Sequence, residues 1–267
     1  MIRLGVNTVL FCKYDFHTAM QHIKWAGYDG AEISALKGMC EHLCLDHWKS
    51  QVAEIKAIVE DLQLPLTAME EAALDETRLM KAFEAGAELG IPIVNVGPGG
   101  SKDHPEDLAK SIEMLAKMAE KAAEFSMILC VKAHVGQAIW NTPTTLQAMA
   151  QIDSPGFGID MDPSHIHRAG EAPKEALKQV ISRVKHVHIR DCKGLGPSPG
   201  PPELQACGRG DIDLLGYCQV LVEAGYAGPV NLEIIGATNY ELSRCAIIAA
   251  ESYGYLNACL NASGGRR

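Results

Sequence analysis

GIDMDPSH (158–165), VKHVHIRD (184–191) and VNLEIIG (230–236), with LCVKAH (129–134) upstream, are the stretches that decide how this chain folds. Each is a strand-like run that ends in metal-binding or proton-handling side chains. A strand shows alternate side chains to opposite faces. Ile159 and Met161 therefore share one face, and Asp160 and Asp162 the other. Val187 and Ile189 oppose His186, His188 and Arg190, while Val230, Leu232 and Ile234 oppose Asn231 and Glu233. Several strands delivering Asp, His and Glu from their carboxyl ends toward one point is how a barrel enzyme builds its site. The pattern predicts a catalyst that uses a metal ion.

The rest of the chain agrees with that expectation. Short apolar runs at 2–7, 29–34, 65–69, 91–97, 127–134, 156–162, 184–190 and 229–235 alternate with longer amphipathic stretches. The latter predict helices over 15–26, 46–63, 75–89, 104–125, 143–151, 172–181, 212–224 and 238–258. Asp75 before ETRLMKAFEAGAELG, and Asn141-Thr142-Pro143 before the fifth helix, are helix-start signals. Eight strand–helix units predict an α/β fold, a single (β/α)8 TIM barrel over residues 1–260. An open doubly wound sheet competes, but its Gly-rich phosphate turn is missing from the first loop, VNTVLFCKYD. An internal echo supports repetition: Ala26-Gly27-Tyr28-Asp29-Gly30 leads to Glu32-Ile33 much as Ala224-Gly225-Tyr226-Ala227-Gly228 leads to Glu233-Ile234. The Gly/Pro-rich stretch GLGPSPGPP (194–202) reads as a long loop after the seventh strand, of the kind that covers a barrel site.

Bulk properties narrow the function. With 267 residues and 47% hydrophobic side chains, the chain can bury a core without disulfides or a structural metal. A formal charge of −9 argues against a nucleic-acid surface. No run of 18 apolar residues predicts a membrane span. Met1–Asn7 reads as a strand rather than a leader, and nine scattered cysteines read as thiols of a reducing cytoplasm. Asn261–Arg267 (NASGGRR) is expected to be a flexible tail.

Sorted by alternation, the inward faces end in Asn7, Glu32, Asn95, Lys132 with His134, Asp162, His188 with Arg190, and Glu233, while the outward faces stay aliphatic. Asp162, His188 and Glu233 are the expected ligands of one divalent ion, against the plainer reading of hydrogen-bonded strand ends. Carboxylates with one imidazole suit Mn, Mg, Co or Zn alike. His165 follows on the loop, where it can reach a substrate hydroxyl or serve as a helix-start histidine. Glu32 and Asp191, at the ends of their own strands, are further candidates for substrate contact. In Gly208-Arg209-Gly210-Asp211-Ile212-Asp213, Arg209 is a candidate clamp for an anionic or polyhydroxylated ligand, and the bland alternative is helix capping. Cys40-Glu41-His42-Leu43-Cys44 is thin support for a zinc site, because such sites want four closed ligands.

The order and spacing of LGVNT, YDGAEIS, GIDMDPSH, HVHIRD, GRGDID and VNLEI resemble the sugar phosphate isomerase/epimerase superfamily, the xylose isomerase-like TIM barrels. In its epimerase branch the metal is held by Glu, Asp, His and Glu from strands five to eight, and the glutamates trade the substrate proton. The resemblance assigns the last three ligands to Asp162, His188 and Glu233, and substrate binding to His165. It also implies a small carbohydrate substrate and association as dimers or tetramers.

The departure lies on strand five. Where the family writes a glutamate two residues before a histidine, this chain has Lys132-Ala133-His134. A protonated lysine cannot ligate a metal. Either His134 becomes the fourth ligand, or the site keeps three ligands and a water. Lys132 is then expected to have a depressed pKa and to act as acid or base, or else to hydrogen-bond a substrate oxygen. Loss of one glutamate weakens two-sided epimerisation, whereas proton abstraction next to a ketone survives. The leading expectation is a metal-dependent sugar or keto-sugar isomerase or epimerase, with Glu233, Lys132 and His134 catalytic. A lyase acting on a 3-keto sugar derivative is the alternative, and a barrel that only binds sugar the second.

Overall fold

A computed structural model describes residues 2–266. Eight parallel strands form its centre: β1 (Arg3–Asn7), β2 (Gly30–Leu36), β3 (Leu66–Glu70), β4 (Ile93–Val96), β5 (Ile128–Lys132), β6 (Phe157–Asp160), β7 (Val184–Ile189) and β8 (Pro229–Leu232). Each pairs with its sequence neighbour, and β1 also pairs with β8 through Leu4↔Val230 and Gly5↔Asn231, so the sheet closes on itself. This is the expected TIM barrel. A two-residue strand, Cys40–Glu41, adds an antiparallel flap to the end of β2.

Around it run α1 (Phe16–Trp25), α2 (Trp48–Leu62), α3 (Glu76–Leu89), α4 (Pro105–Glu124), α5 (Thr142–Gln151), α6 (Pro163–Arg168), α7 (Pro173–Val180), α8 (Pro202–Gln205), α9 (Leu214–Glu223) and α10 (Leu242–Ala262). Their starts follow from side chains that satisfy free amide groups. Asp75 accepts from Arg78 N at the head of α3, and Asn141 and Thr144 form a reciprocal capping box on α5. The main core lies between strands and helices, where Ile33, Val94, Val131, Ile159, Val187 and Leu232 meet the helix ring.

Inside the barrel the chemistry changes. A small apolar floor of Ala68, Ile93 and Cys130 is overlaid by Glu32, Asn95, Asp160, His186, His188 and Asn231, all fully buried. Such a layer is tolerated only when its polar atoms are paired. His186 Nδ1 donates to Asp160 Oδ1 at 2.8 Å and its Nε2 accepts from Asn231 Nδ2 at 2.8 Å. Asn231 needs room that Gly5 provides: a Cβ there would lie 2.1 Å from Asn231 Oδ1.

Several strands end earlier than the sequence predicts. β6 stops at Asp160, because Asp162 turns to cap α6 by accepting from Ser164 N, with Pro163 supplying the first helical residue. β5 stops at Lys132 and β8 at Leu232, so His134 and Glu233 stand on the following loops. The short helices α6 and α8 were not anticipated. Within the expected tail Asn261–Arg267, α10 runs to Ala262 and the Arg266 guanidinium bonds Asp29 and the Ile2 carbonyl, while Arg267 lies outside the described residues. Among the described residues, no helix is long and apolar enough to cross a membrane.

The substitution Gly5→Ala should lower unfolding free energy by about 1–3 kcal/mol through overpacking against Asn231. Denaturant titration measures this, and an unchanged midpoint would contradict the packing described.

Candidate active site

At the carboxyl-terminal rim of the strands lies a cavity of about 220 Å³, small for a ligand pocket and suited to a small metabolite. Its polar wall is Glu70, Lys132, His134, His165, Arg190 and Glu233; Leu36, Met39, Pro197 and Pro199 form an apolar edge. The predicted covering loop therefore supplies two prolines, and Arg168 Nη1 holds it by donating to Pro197 O at 2.7 Å. A hollow at the opposite end of the barrel, lined by Ile2, Tyr226 and Arg266, carries no comparable set of acids and bases.

Lys132 occupies the middle of the wall. Its Nζ lies 3.0 Å from Glu70 Oε1, 2.9 Å from Glu233 Oε1 and 3.1 Å from His188 Nδ1. Burial opposes its charge, but Glu233 and Glu70 outweigh burial and hold the ammonium above the usual lysine range. The expected depressed pKa is corrected: the neighbours are carboxylates. Arg190 stands beside it. Its Nη2 donates to Asp162 Oδ2 at 2.9 Å, its Nε donates to Ser164 Oγ at 2.7 Å, and its Nη1 lies 3.1 Å from Glu233 Oε2. The last contact is an ion pair without good alignment, so both of these buried atoms lack a proper hydrogen-bond partner.

The carboxylates respond unequally. Glu233 feels burial, but Arg190 and Lys132 keep it well below the usual carboxylate range. Glu70 has burial and then Glu233 against it, and is pushed up to about 7. Two acids share one ammonium, and the acid with the additional guanidinium ionises first. Glu70 is also oriented: Asn7 Oδ1 accepts from Val9 N at 2.9 Å, which points its Nδ2 at Glu70 Oε2, 2.5 Å away.

Below the cavity, His188 Nε2 meets Glu32 Oε2 at 2.6 Å and its Nδ1 lies 2.7 Å from Asp160 Oδ2. Burial opposes protonation, yet Asp160 and Glu32 hold the imidazolium well above the usual histidine range. Asn95 Nδ2 fixes Glu32 by donating to Oε1 at 2.6 Å. The two histidines of the wall are different. Burial and then Arg190 hold His165 well below the histidine range; burial and then Lys132 lower His134. Both are neutral hydrogen-bonding groups at neutral pH. His134 Nδ1 faces Val135 O at 3.0 Å, which makes Nδ1 the protonated nitrogen and leaves Nε2 an acceptor.

Residues 20–251 match the family described as xylose isomerase-like TIM barrel, which covers most of the chain. The chain belongs to that family. Among relatives in this family, an inosose dehydratase of Clostridium tetani is 28% identical over 153 residues, 53% of this chain and 50% of that protein. The match thus spans only half of that relative's length. Inosose dehydratase 2 of Bacillus cereus is 22% identical over 216 residues, 72% of each chain. Among solved members of the fold, a D-tagatose 3-epimerase-like protein superposes with a TM-score of 0.79 at 19% identity, covering 98% of both chains. An IolI protein with a bound zinc atom gives 0.77 at 18%, covering 98% of this chain and 99% of that one. At these identities the structural likeness is one of fold. The relatives named here by sequence are dehydratases.

Two sets of side chains among the described residues bring candidate ligand atoms within 4.8 Å of one another: Glu32–His186–His188 and Glu70–His188–Glu233. The second set opens onto the cavity, but Lys132 Nζ stands among its three members. His188 Nε2 is taken by Glu32, and its Nδ1 faces Lys132 Nζ at 3.1 Å, in the place an ion would need. As arranged, these residues do not fit a metal unless Lys132 withdraws.

The expected trio of Asp162, His188 and Glu233 is not assembled. Asp162 belongs to neither set, because Arg190 and the Ser164 amide hold its two oxygens. His134 lines the cavity but joins neither set. Glu32 lies behind His188 and away from the cavity, which removes it as a substrate contact. Asp191 is a loop anchor, accepting from Cys192 N, Ile212 N and Gly208 N. Arg209 pairs with Glu251 on the outer surface and does not line the cavity. Cys40 and His42 meet each other, with Sγ and Nδ1 3.5 Å apart, outside both metal-capable sets. Sequence reasoning missed Glu70. It ended the third strand at residue 69, although Ala68 and Glu70 share the inward parity that would have exposed it.

Replacing Arg190 by Met should leave Asp162 and Glu233 short of a buried partner and cost about 3–5 kcal/mol of stability. Calorimetry reads this, with Arg190→Lys recovering part of the loss; a neutral outcome would dissolve the charge network described.

Proposed function

We propose that this chain is a carbon–oxygen lyase that removes water from a small polyhydroxylated ketone, of the inosose or dehydroshikimate kind named for its relatives. The observation that carries it is the single high-pKa carboxylate, Glu70, facing a cavity beside two permanent cations, Lys132 and Arg190. Dehydration next to a carbonyl needs that combination. Glu70, when ionised, takes the proton from the carbon adjacent to the ketone. The charge that develops on the carbonyl oxygen is met by Arg190 Nη1, whose hydrogen-bonding position is open, and by Lys132. The bond from the neighbouring carbon to its hydroxyl then breaks. The proton held by Glu70 passes to that oxygen, and water and an unsaturated ketone leave. One group serves as base and then acid, so no second base is required. His134, neutral, hydrogen-bonds a remaining hydroxyl through Nε2 without adding charge, while His165, its nitrogens held by Val135 N, Arg168 and Arg190, positions Arg190.

The isomerase or epimerase reading retains one supporting observation, the second carboxylate Glu233 in the same wall. Lys132 and Arg190 engage both of its oxygens and hold its basicity down, so it is a poor exchange partner for Glu70. Dehydration therefore fits better. A product whose mass is lower by one water separates the two, since isomerisation leaves mass unchanged.

Glu70→Gln should cut kcat by about 10²–10⁴-fold while leaving the folded circular-dichroism spectrum intact. In the unaltered protein kcat/KM should rise with pH through about 7 and then level off, because Glu70 must be ionised to act. A profile flat across neutrality, or a fully active Glu70→Gln, would remove Glu70 from the reaction.

A further inference from the structure

We propose that Lys132 is the resident cation of this site: its ammonium fills the place among Glu70, His188 and Glu233 that a divalent ion would need, and the protein works without one. The three distances from Nζ, 2.9–3.1 Å, run to the same side chains that form the cavity-facing ligand set. Ion and ammonium cannot share that volume.

Charge balance points the same way. Lys132 pairs with Glu70 and Glu233, and Arg190 pairs with Asp162 and with the Glu233 oxygen that Lys132 leaves, so these two cations already serve all three carboxylates. A dication added a few ångströms from both would meet strong repulsion at low dielectric. Expelling Lys132 would not solve this, because its side chain is buried at the end of β5 and its carboxylate partners are the proposed ligands. The remaining donors are also committed. His188 Nε2 faces Glu32 and its Nδ1 faces Lys132 Nζ at 3.1 Å, and Asp162 is held by Arg190 and Ser164 N.

An ammonium gives one charge and three N–H donors. Two go to Glu70 and Glu233 and the third lies toward His188 Nδ1 at 3.1 Å, so the ammonium acts on a substrate oxygen in the cavity through its charge. Lys132 thereby supplies polarisation that needs no metal loading. The statement about ion binding stands on this geometry alone, whereas its consequence for turnover rests on the dehydratase reading.

The test measures ion binding without substrate. Protein dialysed against EDTA is titrated with MnCl₂ and ZnCl₂ by calorimetry and thermal melting, alongside Lys132→Glu and Lys132→Met, and metal content as purified is read by mass spectrometry. The unaltered protein should carry no stoichiometric ion, and neither chelator nor metal should move its Tm. Lys132→Glu should bind Mn²⁺ at least about tenfold more tightly than the unaltered protein, with Tm rising by about 5 °C on saturation. Lys132→Met, which deletes the charge and keeps the stem, should also acquire a metal-dependent Tm. A stoichiometric, chelator-sensitive ion in the unaltered protein, or binding that Lys132→Glu weakens, overturns the proposal. Should neither variant fold, the unaltered protein's metal content and titration decide. Absence of dehydratase activity would leave the ion-binding result standing, so the two readings fail separately.

Discussion

Buried charge has to be compensated charge by charge, and the barrel mouth is arranged around that constraint. Glu70, Lys132, Glu233, Arg190 and Asp162 follow one another across the rim with alternating sign. Beneath them Glu32, His188, Asp160 and His186 form a second chain. Such arrays seldom add stability over a packed apolar core, because desolvation offsets most of the attraction. Their persistence at the one place where strand ends meet a cavity is therefore better explained by chemistry than by folding. Lys132 is the pivot of the upper chain, since it joins Glu70 to Glu233, while Arg190 on Glu233 sets which carboxylate ionises first.

The scaffold makes that arrangement rigid. Amides from β1 and β4, Asn7 and Asn95, fix the orientation of one carboxylate in each chain. Asp162 caps α6 and receives Arg190 with its other oxygen, so helix start and charge network share a residue. Family membership fits this picture, since barrel enzymes carry their reactive groups at the carboxyl ends of the strands.

The barrel was legible because its signals are local. Alternation of apolar and polar side chains, with helix starts at Asp75 and Asn141, located all eight strands and most helices. Parity also placed Lys132, His188, Arg190 and Glu233 on the inner face. It could not say what an inward side chain meets across the barrel. Asp162 looked like a ligand because its spacing allows it, but Arg190 from the next strand claims it, a pairing that depends on inter-strand register. Asp191 and Arg209 failed for a related reason: each lies at the end of a promising motif, and the chain turns outward there to anchor loops. Glu70 was lost to a boundary one residue short.

The cavity edge formed by Leu36, Met39, Pro197 and Pro199 faces a wall made almost wholly of ionised or hydrogen-bonding groups. A two-sided chamber of this kind sorts its occupants by the distribution of oxygen atoms over their surface. A compact ring with hydroxyls gathered on one side and bare C–H on the other satisfies both halves at once. A uniformly hydrated open-chain polyol would have to strip water from groups that find no partner along the prolines.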